Sequence, residues 1–230
     1  MNIIILGDSW GVPNYYGPPG VAPEAHTEFL LKELGHTVYN CANNAGSNID
    51  SIIQATDHSH IGTADLIIWF HTELTRDIEY IEPGSLDETI ERLAHETYKR
   101  IAELKNLTKA KLVAIGGCAT LHPLLFDYVT PDFYITDWVS SICGQEVPPC
   151  YISYSIPKKI PKQLPDRELA QLVVDTKENL TRQFDIELKR YKCMSHSEHF
   201  PDNSHPGIQP HLNLVNTLKN TYLRFRCRNG

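Results

Sequence analysis

Leu66-Ile-Ile-Trp-Phe70 is the stretch that most limits how this chain can fold. Side chains alternate between the two faces of a strand, so an unbroken apolar run must be covered on both. The interior of a parallel sheet with helices on either side meets that requirement. This run, taken from Ala64 to Phe70, is one of four strand patterns. The others are Ile3–Leu6 leading into Gly7, Thr37–Ala42, and Lys111–Gly116. Helical patterns lie between them, over residues 24–34, 49–56 and 86–107. The last places Ile90, Leu93, Ala94, Tyr98, Ile101 and Leu104 near helical spacing. Strands alternating with helices, joined by right-handed crossovers, define the α/β class. The expected architecture is a three-layer α/β/α sandwich around a flavodoxin-like parallel sheet of about five strands. The fifth strand has no distinct pattern. Residues 133–142 are aromatic and β-branched, residues 148–165 are proline-rich loop or lid, and a helix pattern over 166–188 stands where a strand is expected. A last helix is expected over 209–222.

The chain has 230 residues, 41% hydrophobic and 21% charged, and is read as one domain over residues 1–230. Its formal net charge of -7 argues against binding nucleic acid or an anionic membrane, since both need basic patches. The first apolar run lacks the basic flank of a secretory signal and falls far short of the roughly 20 residues of a membrane helix. Six cysteines are scattered without a Cys-x-x-Cys pair, which reads as reduced thiols rather than a disulfide framework or zinc ribbon. A cytoplasmic location is expected.

Two short motifs carry the chemistry. The first strand pattern ends in Gly7-Asp8-Ser9-Trp10-Gly11. Asp8 or Ser9 there can simply turn the chain or cap a helix. Alternatively Ser9 is a nucleophile at the carboxyl end of a strand, where open α/β sheets place their sites. A serine hydroxyl then needs a base, and the base needs an orienting group. Near the other end, Asp202-x-x-His205 puts an acid and a histidine on one loop, followed by Pro206-Gly207 before the last helix. That spacing lets the carboxylate reach one imidazole nitrogen and leaves the other for Ser9.

Gly7-Asp8-Ser9 after the first strand, Gly46 in the polar turn after the second, and Asp202-x-x-His205-Pro206 before the last helix together resemble the SGNH/GDSL hydrolase superfamily. The order and wide separation of the blocks match over essentially the whole chain. The resemblance implies the SGNH hydrolase fold, with Ser9 as nucleophile, His205 as general base and acid, and Asp202 as the residue orienting His205. It also implies oxyanion donors in the backbone N–H groups of Ser9 and Gly46. The family's third block, Gly-x-Asn-Asp, is absent. Phe70-His71-Thr72-Glu73 stands in its place, so Thr72, His71 or Asn48 is left to replace the missing Asn donor. The implied activity is hydrolysis of a small acyl or carbohydrate O-acyl ester, with no cofactor and no metal, in a phage or bacterial enzyme.

Two rivals stand beside this reading. A catalytically weak or inactive binding or structural protein on the same fold is favoured by the altered third block. A flavodoxin-like nucleotide binder would place Asp202 and His205 far from Ser9. His58-x-His60 and His196-x-x-His199 lack the partners of a zinc site. Trp10, Tyr15 and Tyr16 either line a cleft or pack on the sheet. Glu73 and Arg76 either pair with each other or bind a polar substrate group. Gly116-Gly117 only faintly resembles a phosphate-binding turn.

Overall fold

The computed structural model describes residues 1–12, 26–77, 86–151, 185–186, 188–201 and 205–222. Five parallel strands form its centre: β1 (Asn2–Gly7), β2 (Thr37–Asn40), β3 (Leu66–His71), β4 (Lys111–Gly116) and β5 (Phe133–Ile135). Their order is β2-β1-β3-β4-β5. β3 pairs in parallel with β1 on one side and β4 on the other, with Ile67 opposite both Ile4 and Leu112. Every residue of β3 is buried, as its unbroken apolar run requires.

The helices α1 (Thr27–Glu33), α2 (Asn48–Thr56), α3 (Leu86–Asn106), α4 (Leu125–Tyr128), α5 (Trp138–Cys143) and α6 (Ile208–Thr221) cover the sheet. Strand alternation divides the core into two layers. Ile4, Leu6, Ile67, Trp69, Leu112 and Ala114 pack with Ile52 and Ala55 of α2 and the Ile90–Leu104 stripe of α3. Ile3, Ile5, Ile68, Phe70, Val113 and Ile115 pack with Leu31 of α1, Val139 of α5, and Leu214, Val215 and Leu218 of α6. The three-layer α/β/α architecture is therefore as expected.

The departures are local. β2 stops at Asn40, where the side chain takes over the hydrogen bonding by accepting from the Ala42 N–H. Within residues 24–34, the described helix spans Thr27–Glu33. The fifth strand is only three residues long, and none of its side chains is fully buried, so it carries no apolar run. The aromatic stretch that contains it splits at Asp137, which caps α5 by accepting from the Ser140 N–H. The helix expected over 166–188, and the loop residues Tyr15 and Tyr16, lie outside the described residues apart from 185, 186 and 188.

Two glycines mark where backbones touch. Gly7 has φ +129°, and a Cβ there would sit 2.3 Å from the Phe70 carbonyl oxygen. β1 thus leaves the sheet hard against β3 as it turns toward Ser9. A Cβ on Gly116 would sit 2.0 Å from the Thr136 carbonyl oxygen, so that glycine serves close packing beside β5. Among the described residues, no helix is long and apolar enough to cross a membrane.

Candidate active site

Ser9 sits at the apex of a turn beyond β1. The Gly11 N–H closes the turn on the Asp8 carbonyl at 2.9 Å. The Asp8 side chain tightens it, with Oδ1 accepting from the Trp10 N–H at 3.0 Å. Asp8 therefore turns the chain, and that turn presents the Ser9 hydroxyl. The Ser9 hydroxyl meets His205 Nε2 at 2.9 Å, across 196 residues of sequence. Both residues are half-buried. Asp202 lies outside the described residues.

The segment before His205 is tied to the sheet by Arg190, within helical residues 188–195. Its guanidinium is buried, ion-paired with Asp137, and donates to the Gly117 carbonyl at 3.1 Å. Phe200 packs its ring 6.1 Å from that of Trp10. The Gly207 N–H donates to the His199 carbonyl at 2.7 Å, closing the loop that carries His205.

Four of the groups considered as oxyanion donors, Gly46, Asn48, His71 and Thr72, have other partners in this structure. The Gly46 N–H donates to the Asn43 carbonyl at 2.9 Å, within a turn that places Ala45 at φ 54°. Asn48 is fully buried and ties the start of α2 to the end of β3. Its Oδ1 accepts from the Thr72 N–H and Trp69 Nε1, and its Nδ2 donates to the Thr72 carbonyl. His71 is buried against Trp69 and Tyr98, and burial lowers its pKa to about 4. The Thr72 hydroxyl lies 2.9 Å from Asp8 Oδ2 and 2.6 Å from Glu73 Oε2. Thr72 thus faces carboxylates, where the third block's Asn would face an oxyanion. The Ser9 N–H has no partner among the described residues.

That Thr72 contact belongs to a buried charged cluster. Arg76 Nε pairs with Glu73 Oε2, while Nη2 lies 3.5 Å from Asp8 Oδ2. Nη1 reaches the Gly46 carbonyl at 3.4 Å, and Nη2 approaches Cys118 Sγ at 3.8 Å. The expected Glu73–Arg76 ion pair is therefore present. Arg76, with its charges alongside, keeps the buried Glu73 carboxyl below its ordinary range. Asp8 differs: complete burial outweighs Arg76 and raises its pKa to about 6. A hydroxyl has one hydrogen, so Thr72 cannot donate to two ionised carboxylates at once. Below about pH 6 a protonated Asp8 can donate to Thr72 while Thr72 donates to the nearer Glu73. Asp8, Glu73 and Cys118 have the spacing of a metal site, their donor atoms lying within 4.8 Å of one another. The cation in that space is the Arg76 guanidinium, and burial keeps the Cys118 thiol protonated.

The other candidate histidines have structural partners. His58 and His60 pack on Tyr39, and His196 Nδ1 reaches the Lys192 carbonyl at 2.6 Å. The five described cysteines are free thiols. Sequence reasoning missed a buried imidazole pair. His26 Nε2 lies 3.0 Å from the Trp10 carbonyl, and its ring packs, tilted, 4.1 Å from that of His211. With eleven histidines and no distinctive spacing, nothing in the sequence marks these two.

No protein-family model and no curated protein sequence matches the chain. Among solved structures it is similar to TesA, at 9% identity over 96% of this chain and 97% of that one, with a TM-score of 0.45. A lipase/acylhydrolase from Enterococcus faecalis matches at 14% identity over 95% of each chain, with a TM-score of 0.41. AlinE4, an SGNH-hydrolase family esterase, matches at 14% identity over 79% of this chain and 95% of that one, with a TM-score of 0.38. These superpositions are loose and carry no activity across; the chemistry around Ser9 has to be read from its own side chains.

Proposed function

We propose that the chain is a serine esterase that cleaves a small acyl or carbohydrate O-acyl ester. The observation that carries this reading is the 2.9 Å contact between Ser9 Oγ and His205 Nε2, made by residues at opposite ends of the sequence. In the proposed reaction Ser9 attacks the ester carbonyl while His205 Nε2 takes its proton. The Ser9 N–H stabilises the tetrahedral oxyanion. His205 then protonates the departing alcohol, and an attacking water regenerates Ser9 with the same histidine as base. Asp202, three residues before His205, is assigned the orienting role.

The contact also counts against a phosphate-binding role for the first loop, since a nucleotide binder needs no histidine on that serine. A second reading, a binding protein of little activity, draws on the engagement of Gly46, Asn48 and Thr72 away from an oxyanion. One experiment separates the two. A fluorophosphonate probe is expected to label the wild type, with labelling abolished in Ser9→Ala and at least about a thousandfold slower in His205→Ala. Absence of Ser9-dependent labelling would leave the binding protein as the reading to keep.

A further inference from the structure

Ser9 and His205 belong to separate loops, and the packing between those loops fixes their 2.9 Å contact. On the Trp10 side, that packing runs through two histidines. His26 precedes α1 and is buried. Its Nε2 faces the Trp10 carbonyl at 3.0 Å. A carbonyl only accepts, so Nε2 carries the hydrogen and Nδ1 is left bare. Nδ1 is buried without a hydrogen-bond partner among the described residues. His211, on α6, is buried as well. Its Nδ1 lies 2.8 Å from Thr27 Oγ1, and it hydrogen-bonds the Pro206 backbone, whose only polar group is the carbonyl. Nε2 is therefore its donor, and Nδ1 accepts from the Thr27 hydroxyl.

We propose that His26 and His211 are positioning residues, a clamp of two packed imidazoles that locks the Ser9 turn to the His205 loop. Each ring holds a carbonyl one residue beyond a reacting side chain, Trp10 after Ser9 and Pro206 after His205. The two rings lie 4.1 Å apart, and the edge-on Trp138 ring lies 5.4 Å from His211. A shift of either loop has to pass through this contact. The catalytic consequence rests on the esterase reading above, whereas the clamp itself does not.

The clamp requires neutral rings. Burial lowers the pKa of His26 to about 4 and that of His211 well below the ordinary histidine value. Among the described residues, the groups facing His26 are the Trp10 carbonyl, Glu28, His205 and His211; those facing His211 are His26, Thr27 and Pro206. Glu28 favours a charged His26, but burial outweighs it. A proton on His26 Nδ1 would find no acceptor among them and would place a cation against the neighbouring ring.

The test combines kinetics with a readout independent of activity. His26→Phe and His211→Phe keep a packed ring and lose the hydrogen bond to the loop. With p-nitrophenyl acetate, each is expected to lower kcat about tenfold to a hundredfold with KM within about twofold, the size of effect expected from slight misplacement of reacting groups. His26→Gln, which retains an N–H for the Trp10 carbonyl, is expected to recover most of kcat and serves if the Phe variants fold poorly. His95→Gln, at an exposed histidine bonded to Tyr128, is the unaffected control. An unchanged kcat in the Phe variants, or an effect confined to KM, overturns the positioning role. Imidazole 15N spectra of the wild type at pH 5 are expected to show His26 and His211 both as neutral Nε2–H tautomers. Either ring charged at pH 5 overturns the clamp whether or not the protein hydrolyses esters. Neutral rings in a protein whose Ser9 resists fluorophosphonate support the clamp and place the failure in the esterase reading alone.

Discussion

The two neighbours of Ser9 are anchored by opposite means. Asp8 is held within a buried cluster of charges, where Arg76 stands against two carboxyls and Thr72 bridges them. Trp10 is held through its carbonyl by His26, an imidazole that stays uncharged against the ring of His211. The difference gives the two sides opposite responses to pH. Asp8 has a folded pKa of about 6, above the unfolded value of 3.8. Its contribution to stability is therefore full below 3.8 and is lost as pH rises through about 6. His26 has a folded pKa of about 4, below 6.5. Its contribution is present above 6.5 and is lost as pH falls toward 4. A buried charge can be compensated by its neighbours, whereas a buried neutral base is maintained only by keeping its proton count fixed.

Removing the cation should break this contrast most severely. Arg76→Met leaves Glu73 and Asp8 buried without a counter-ion and is expected to cost about 3–5 kcal/mol in urea unfolding at pH 7. A loss below about 1 kcal/mol would mean that water already shields the cluster. Asp8→Asn sharpens the comparison instead. Its amide can accept from Trp10 and donate to Thr72 with no charge to bury. The variant should melt a few degrees higher than wild type at pH 8, and should lose the part of the melting profile that declines between pH 4 and 6. A lower melting temperature at pH 8 would mean that ionised Asp8 is the stabilising form. The smallest effect is expected from Thr72→Ser, which keeps the bridging hydroxyl and removes a methyl, at about 1 kcal/mol or less.

The sheet was readable because β1, β3 and β4 are buried on both faces, and double burial imposes unbroken apolar runs. β5 was not, because a three-residue edge strand with half-buried side chains needs no such run. In the candidate site, Ser9 and His205 were legible because their motifs lie at element boundaries, each beside a glycine. Glu73 and Arg76 were legible because a three-residue separation in one short turn brings opposite charges together. The exchange of partners at Thr72 was not. Position after β3 suggested an oxyanion donor, but which way a hydroxyl points depends on the buried carboxyls around it, one of them 64 residues away. His26 and His211 escaped for a related reason: their pairing joins residues 185 positions apart that share no motif.

Trp10 has one more consequence. Its indole lies 5.8 Å from that of Trp138, while the third tryptophan, Trp69, is buried in the layer on the other side of the sheet. Two indoles that close couple their electronic transitions, so their near-ultraviolet dichroism depends on their mutual angle. In the proposed reaction, an acyl group joining Ser9 would act one residue from one member of that pair. The protein therefore contains an intrinsic optical gauge of the Ser9 turn, readable without any attached label.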